Sequence, residues 1–183
     1  MQIKNLYKRY GDKVIFNDYS EEIPDNQITY ITGDSGIGKT TLLNLIAGLD
    51  KDFEGEISKD SNNIAYVFQY PRLFPSVNVY NQLSIINSNK SIDDILKIVE
   101  LENDTDLFPD ELSGGMKMRV ALARALYCDA DIYLLDEPFS SIDEEMKYRI
   151  RDKVFDILKG KTIIVVSHDN DEASKYANKI IKL

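Results

Sequence analysis

The sequence predicts an α/β fold with a mainly parallel central sheet, an N-terminal antiparallel β-subdomain and a small helical subdomain. Three observations carry this prediction. From Ile28 onward, short β-branched runs alternate with helix-compatible stretches, as strands do when crossover helices join them. The first such run is followed by a glycine-rich loop and then by a helical segment over residues 41–47. A second run, residues 132–135, stops abruptly at Asp136 and Glu137, at the strand end where open α/β sheets place their ligands.

Along the chain, residues 1–7 and 14–19 are apolar runs suited to edge β-structure. Residues 28–32 are apolar and β-branched enough for a buried strand, and the helix that follows stops at Gly48. Residues 64–68 form a further run that ends at Gln69. The stretch 80–112 departs from the alternation, with residues 93–101 reading as an amphipathic helix capped by Ser91. Ser113 is a good N-cap for a helix that starts immediately behind Gly114 and Gly115. Asp143 is placed to cap a helix running to Lys159, and the β-branched run 162–166 leads to His168, the single histidine. No repeat, low-complexity tract or long Gly/Ser linker interrupts the 183 residues, so a single domain spanning 1–183 is expected, with its helical subdomain at approximately 76–126.

Residues 33–40 read Gly33-Asp34-Ser35-Gly36-Ile37-Gly38-Lys39-Thr40, a complete G-x-x-x-x-G-K-[ST] phosphate loop of P-loop NTPase type, with Thr41 next in line. A triphosphate is a cluster of anions that backbone N–H groups must approach closely. Gly33, Gly36 and Gly38 permit the dihedrals that turn those groups inward ahead of a helix N-terminus. Lys39 supplies a point charge to the β and γ phosphates, and the Thr40 hydroxyl is placed to hold Mg²⁺. A dinucleotide fingerprint does not fit, since its third glycine falls at position 41, which is Thr41. Asp136 can hold the metal directly or through its waters, while Glu137, one residue further on, can orient and deprotonate an attacking water.

Leu112-Ser113-Gly114-Gly115-Met116 and the helix behind it resemble the signature segment of ATP-binding cassette (ABC) ATPases. Physically the segment is a second phosphate site, a capped helix start with exposed glycine N–H groups. The resemblance implies two cassettes packed head to tail, Ser113, Gly114 and Gly115 of one closing over the γ-phosphate held by residues 33–40 of the other. It also implies roles residue by residue. Tyr10 matches the aromatic that stacks on adenine, though an ordinary strand-end tyrosine is the other reading. Gln69 matches the glutamine that reaches Mg²⁺ and water, and His168 the switch histidine that contacts the γ-phosphate. Asp143, in Ser140-Ser141-Ile142-Asp143, matches the loop that couples the two sites, a role compatible with capping.

Family members receive a helix of a membrane permease near Gln69 and residues 70–77, where Leu73 and Phe74 either form a docking surface or fill a junction. The motifs look most like nitrate, sulfonate and taurine importer cassettes. The implied function is ATP hydrolysis that powers transport through a separate permease. A soluble non-transport cassette, such as the iron–sulfur cluster assembly type, is the alternative. Relatives normally continue beyond residues 179–183, so the C-terminus is short for the family.

The 22 basic and 31 acidic residues leave a net charge of −9 with no basic stripe, so the footprint of a nucleic-acid binder is lacking. With no signal peptide and no apolar stretch approaching ~18 residues, the expectation is a cytoplasmic protein, peripheral on the inner membrane face through the permease. Cys128, the one cysteine, fits a reducing compartment and small-residue packing.

Overall fold

The computed structural model describes residues 1–183 and divides into two compact units. The first comprises residues 1–66, 131–136 and 160–183, and it contains two sheets. Strands β1 (Gln2–Tyr10), β2 (Lys13–Glu22) and β4 (Glu54–Ser58) form an antiparallel sheet in the order β2-β1-β4. The runs at 1–7 and 14–19 thus extend further than their apolar residues, because the tight turn at Gly11 pairs Tyr10 with Lys13 and carries the ladder out to the turn.

The second sheet has the order β5-β6-β7-β3-β8, from β5 (Ile64–Val67), β6 (Ile132–Asp136), β7 (Thr162–Val166), β3 (Ile28–Thr32) and β8 (Lys179–Lys182). The β6–β7, β3–β7 and β3–β8 pairs are parallel. All five residues of β6 and of β7 are buried, which explains why these strands read as unbroken apolar runs rather than as alternating ones. Helix α1 (Lys39–Ala47) buries Leu42, Leu43, Leu45 and Ile46 in one core with Leu6, Phe16, Ile31, Leu134 and Ile164. It ends at Gly48, whose φ of 72° is left-handed and whose N–H reaches back to the helix carbonyls.

The second unit comprises residues 67–130 and 137–159. Helices α2 (Val79–Ser84), α3 (Ile92–Ile98), α4 (Gly114–Tyr127) and α5 (Glu144–Ile157) belong to it, with a 3₁₀ turn at Pro109–Glu111. Helix α3 stops three residues short of the expected Leu101. Glu100 takes a left-handed φ of 55° and the Leu101 N–H bonds the Leu96 carbonyl, a closing motif that tucks Leu101 into the interior. Helix α5 likewise ends at Ile157 instead of Lys159, with Leu158 as its buried C-cap. No helix is long and apolar enough to cross a membrane.

Candidate functional site

In the first unit, β3 delivers the glycine loop to the start of α1. Gly33, Gly36 and Gly38 have φ values of 143°, 77° and 123°, and the Leu42 N–H bonds the Gly38 carbonyl at 2.9 Å to open the helix. At Gly38 glycine is favoured on two counts: its φ of 123° disfavours any side chain, and a Cβ there would lie 2.7 Å from the Ile15 Cγ2 methyl of β2. Gly36 has nothing within 4 Å of an added Cβ, so the apex of the loop faces open space. Asp34, Ser35 and Ile37 complete the loop, and the Ile37 N–H donates to the Asp34 carbonyl. The Lys39 ammonium is folded onto the loop, donating to the carbonyls of Gly33 at 2.8 Å and Asp34 at 2.9 Å.

Thr40 donates its hydroxyl proton to Asp136 Oδ2 at 2.7 Å across 96 residues of sequence. Asp136 is 1% exposed at the C-terminal end of β6, in register with Val166 of β7. The hydroxyl and carboxylate form a hard oxygen donor pair beside the glycine loop, and that chemistry fits Mg²⁺. His168 follows β7 by two residues and is exposed, while Ser167 beneath it is buried and accepts from the Asp169 N–H. Asp169 caps α6 (Asn170–Tyr176), and α6 is pinned to β3 by the buried Tyr30 hydroxyl, which donates to Glu172 at 2.8 Å. Tyr10 ends β1 with half its surface exposed, and Thr41 lies in the first turn of α1 within hydrogen-bonding reach of the Tyr10 hydroxyl.

The second unit carries the other candidates. Gln69 is exposed two residues after β5. Ser113 and Gly114 are exposed at the start of α4, with the Ser113 hydroxyl accepting from the Met116 N–H at 3.2 Å as an N-cap. The two adjacent glycines differ: Gly114 has open space where a side chain would go, whereas a Cβ on Gly115 would meet the Ser141 carbonyl at 2.7 Å. Gly115 is therefore needed for close packing. Asp143 is exposed and accepts from the Met146 N–H as the cap of α5. Glu137 stands between Asp136 and Pro138 with a φ of 50°, a left-handed backbone that a non-glycine residue adopts only at a cost of about 1–2 kcal/mol. Such strain concentrates where a side chain must be aimed.

Some neighbours of these groups carry no sequence signal. Gln82, only 1% exposed, donates to the Phe74 and Val77 carbonyls and accepts from the Phe74 N–H. Arg124 donates to the Arg72 carbonyl at 2.8 Å and sits 5.1 Å from the Phe74 ring, while burial lowers its pKa. Together they hold the segment after Gln69 and present Phe74 half-exposed. In the first unit the Lys13 ammonium of the β1–β2 turn approaches the Gly36 carbonyl at 3.4 Å. A polar residue whose partner lies outside its own helix or strand leaves no periodicity to read.

A family profile described as "ABC transporter" matches residues 16–140. The "Fe(3+) ions import ATP-binding protein FbpC 2" of Haemophilus influenzae is 36% identical over 205 residues, covering 98% of this chain and 58% of that protein. The "Aliphatic sulfonates import ATP-binding protein SsuB 2" of Pseudomonas syringae pv. tomato is 33% identical over 187 residues, covering 99% of this chain and 81% of that protein. The chain therefore spans little more than half the length of the iron relative. Among solved structures, the "Dimeric Structure of MJ0796, a Bacterial ABC Transporter Cassette" superposes with a TM-score of 0.89 at 29% identity, covering 100% of this chain and 93% of that one.

Proposed function

The chain belongs to the ABC transporter family, and on that premise we propose that it is an ATP-hydrolysing subunit that powers solute import through a separate membrane permease. The observation that carries the proposal is the 2.7 Å bond between Thr40 and Asp136, which brings two motifs distant in sequence to one point beside Lys39. A glycine loop alone binds anions. A loop backed by a buried carboxylate and a hydroxyl binds an anion together with its metal.

Lys39 releases the Gly33 and Asp34 carbonyls and turns its ammonium to donate to the phosphates, while the loop N–H groups supply the remaining donors. Thr40 and Asp136 would hold Mg²⁺, which would supply positive charge to offset that of the phosphates. Glu137 takes a proton from water, and Gln69 and His168 orient that water and the γ-phosphate. Two copies pack head to tail, so that the exposed Ser113 and Gly114 of one complete the site of the other, with Asp143 beside the junction. The permease docks at Gln69 and residues 70–77, and the protein sits on the cytoplasmic face of the permease's membrane. The import names of the iron and sulfonate relatives favour transport over the cluster-assembly alternative.

The test is Glu137→Gln. ATP turnover falls by about 10²–10⁴-fold, as expected when a general base is lost, while ATP binding persists and a dimer accumulates in light scattering. Turnover close to that of the parent protein refutes the assignment of the base.

A further inference from the structure

Lys8 is anomalous. It occupies a core-facing register of β1, after Ile3 and Leu6, yet its side chain is only 1% exposed. Lysine is almost never buried without partners, and here the partners are specific. The ammonium donates to Asp50 at 3.1 Å and to the backbone and side chain of Asp52, and it lies 4.5 Å from the centroid of the Tyr10 ring. The Tyr10 hydroxyl in turn donates to Asp50 Oδ2 at 2.7 Å. Asp50 is tied to α1, because its own N–H bonds the Asn44 carbonyl.

We infer that Asp50 and Lys8 are positioning residues that fix the Tyr10 ring as a one-sided platform for the nucleobase of the bound nucleotide. The inference rests on the nucleotide-binding reading above. A half-exposed tyrosine at a strand end ordinarily swings about χ1 and χ2. Here the hydroxyl is tethered and one face is taken by the ammonium, an attraction between cation and ring quadrupole, so only the opposite face is open to a flat base. The anchor is the same helix whose N-terminus carries the phosphate loop, and platform and loop thus keep a fixed separation. The charge states agree with this arrangement. The Asp50 carboxyl is held below its ordinary range, first by the Tyr10 hydroxyl and then by Lys8. Burial pulls the Lys8 ammonium down, but its bonds to Asp50 and Asp52 outweigh that and leave it raised.

The experiment compares Mg·ATP with inorganic tripolyphosphate, which has the charge but no base, by calorimetry on the full chain. Asp50→Ala and Tyr10→Phe weaken ATP binding by about 2- to 10-fold, the expected loss when one side chain must be immobilised on binding, and leave tripolyphosphate affinity unchanged. Tyr10→Phe keeps the ring and guards against misfolding of the Asp50 variant. Equal losses for both ligands make Asp50 merely structural and overturn the proposal. If Tyr10→Ala weakens ATP binding but Asp50→Ala and Tyr10→Phe do not, the platform stands and its positioning pair falls. A parent protein that binds neither ligand overturns the nucleotide reading itself.

Discussion

Replacing Gly38 by alanine tests whether the loop is shaped by backbone strain and close packing together. At a φ of 123° an alanine leaves the allowed regions, at a cost of about 1–3 kcal/mol. Its methyl also meets Ile15 Cγ2 at 2.7 Å and Phe16 Cζ at 3.2 Å, both on β2. Overpacking of this kind costs about 1–3 kcal/mol, and Phe16 has little room to move, being only 6% exposed. The two effects sum to about 2–6 kcal/mol. Gly36→Ala is the internal control. Its φ of 77° is close to the left-handed helical region and nothing lies within 4 Å, so it costs only about 1–2 kcal/mol. Urea unfolding followed by circular dichroism reads the difference: with a slope of about 2 kcal/mol/M, the midpoint of Gly38→Ala falls by about 1–3 M and that of Gly36→Ala by about 0.5–1 M. Equal midpoints for the two variants would refute the contact with β2 as the reason for glycine at position 38.

Two further predictions follow from the second unit. Ser113→Ala removes the α4 cap, costing about 0.5–2 kcal/mol in a thermal melt; it also sharply lowers ATP turnover while single-chain ATP affinity, measured by titration at low protein concentration, stays unchanged. A parallel loss of affinity would place Ser113 in its own chain's site. Glu100, bonded to Arg149 at 3.0 Å and 3.1 Å, has its carboxyl pKa lowered first by that hydrogen bond, with the charges of Arg149 and Lys153 adding to it. A carboxyl lowered in the folded state contributes stability that is present above the unfolded pKa of roughly 4.3 and is lost as the pH falls through the lower folded value. Glu100→Gln therefore flattens the fall in melting temperature on the acid side of pH 5, and an unchanged acid slope would show the pair to be inert.

The local elements were legible because their physics is local. A glycine loop between a β-branched run and a helix needs only the dihedral freedom of three glycines and the orphan N–H groups of the helix start. The caps at Ser91, Ser113 and Asp143 are each occupied by the N–H three residues on, a separation that sequence displays directly. Strand ends were less sharp, because β1 and β2 run on through polar residues that pairing, not burial, keeps in line.

Sequence alone displayed the motifs: a G-x-x-x-x-G-K-[ST] loop, a carboxylate pair at the end of a buried strand, a second capped glycine turn, and from these the family. Only the tertiary structure decided which groups meet. Thr40 reaches Asp136 because β6 and β3 flank β7. Gly115 is required because Ser141 comes to rest against it. Lys8 is buried because Asp50 and Asp52 return beneath it from 42 and 44 residues away. The reason is common to all three: a pairing between distant residues leaves no trace in composition or periodicity, since its free energy exists only once the chain between them has closed.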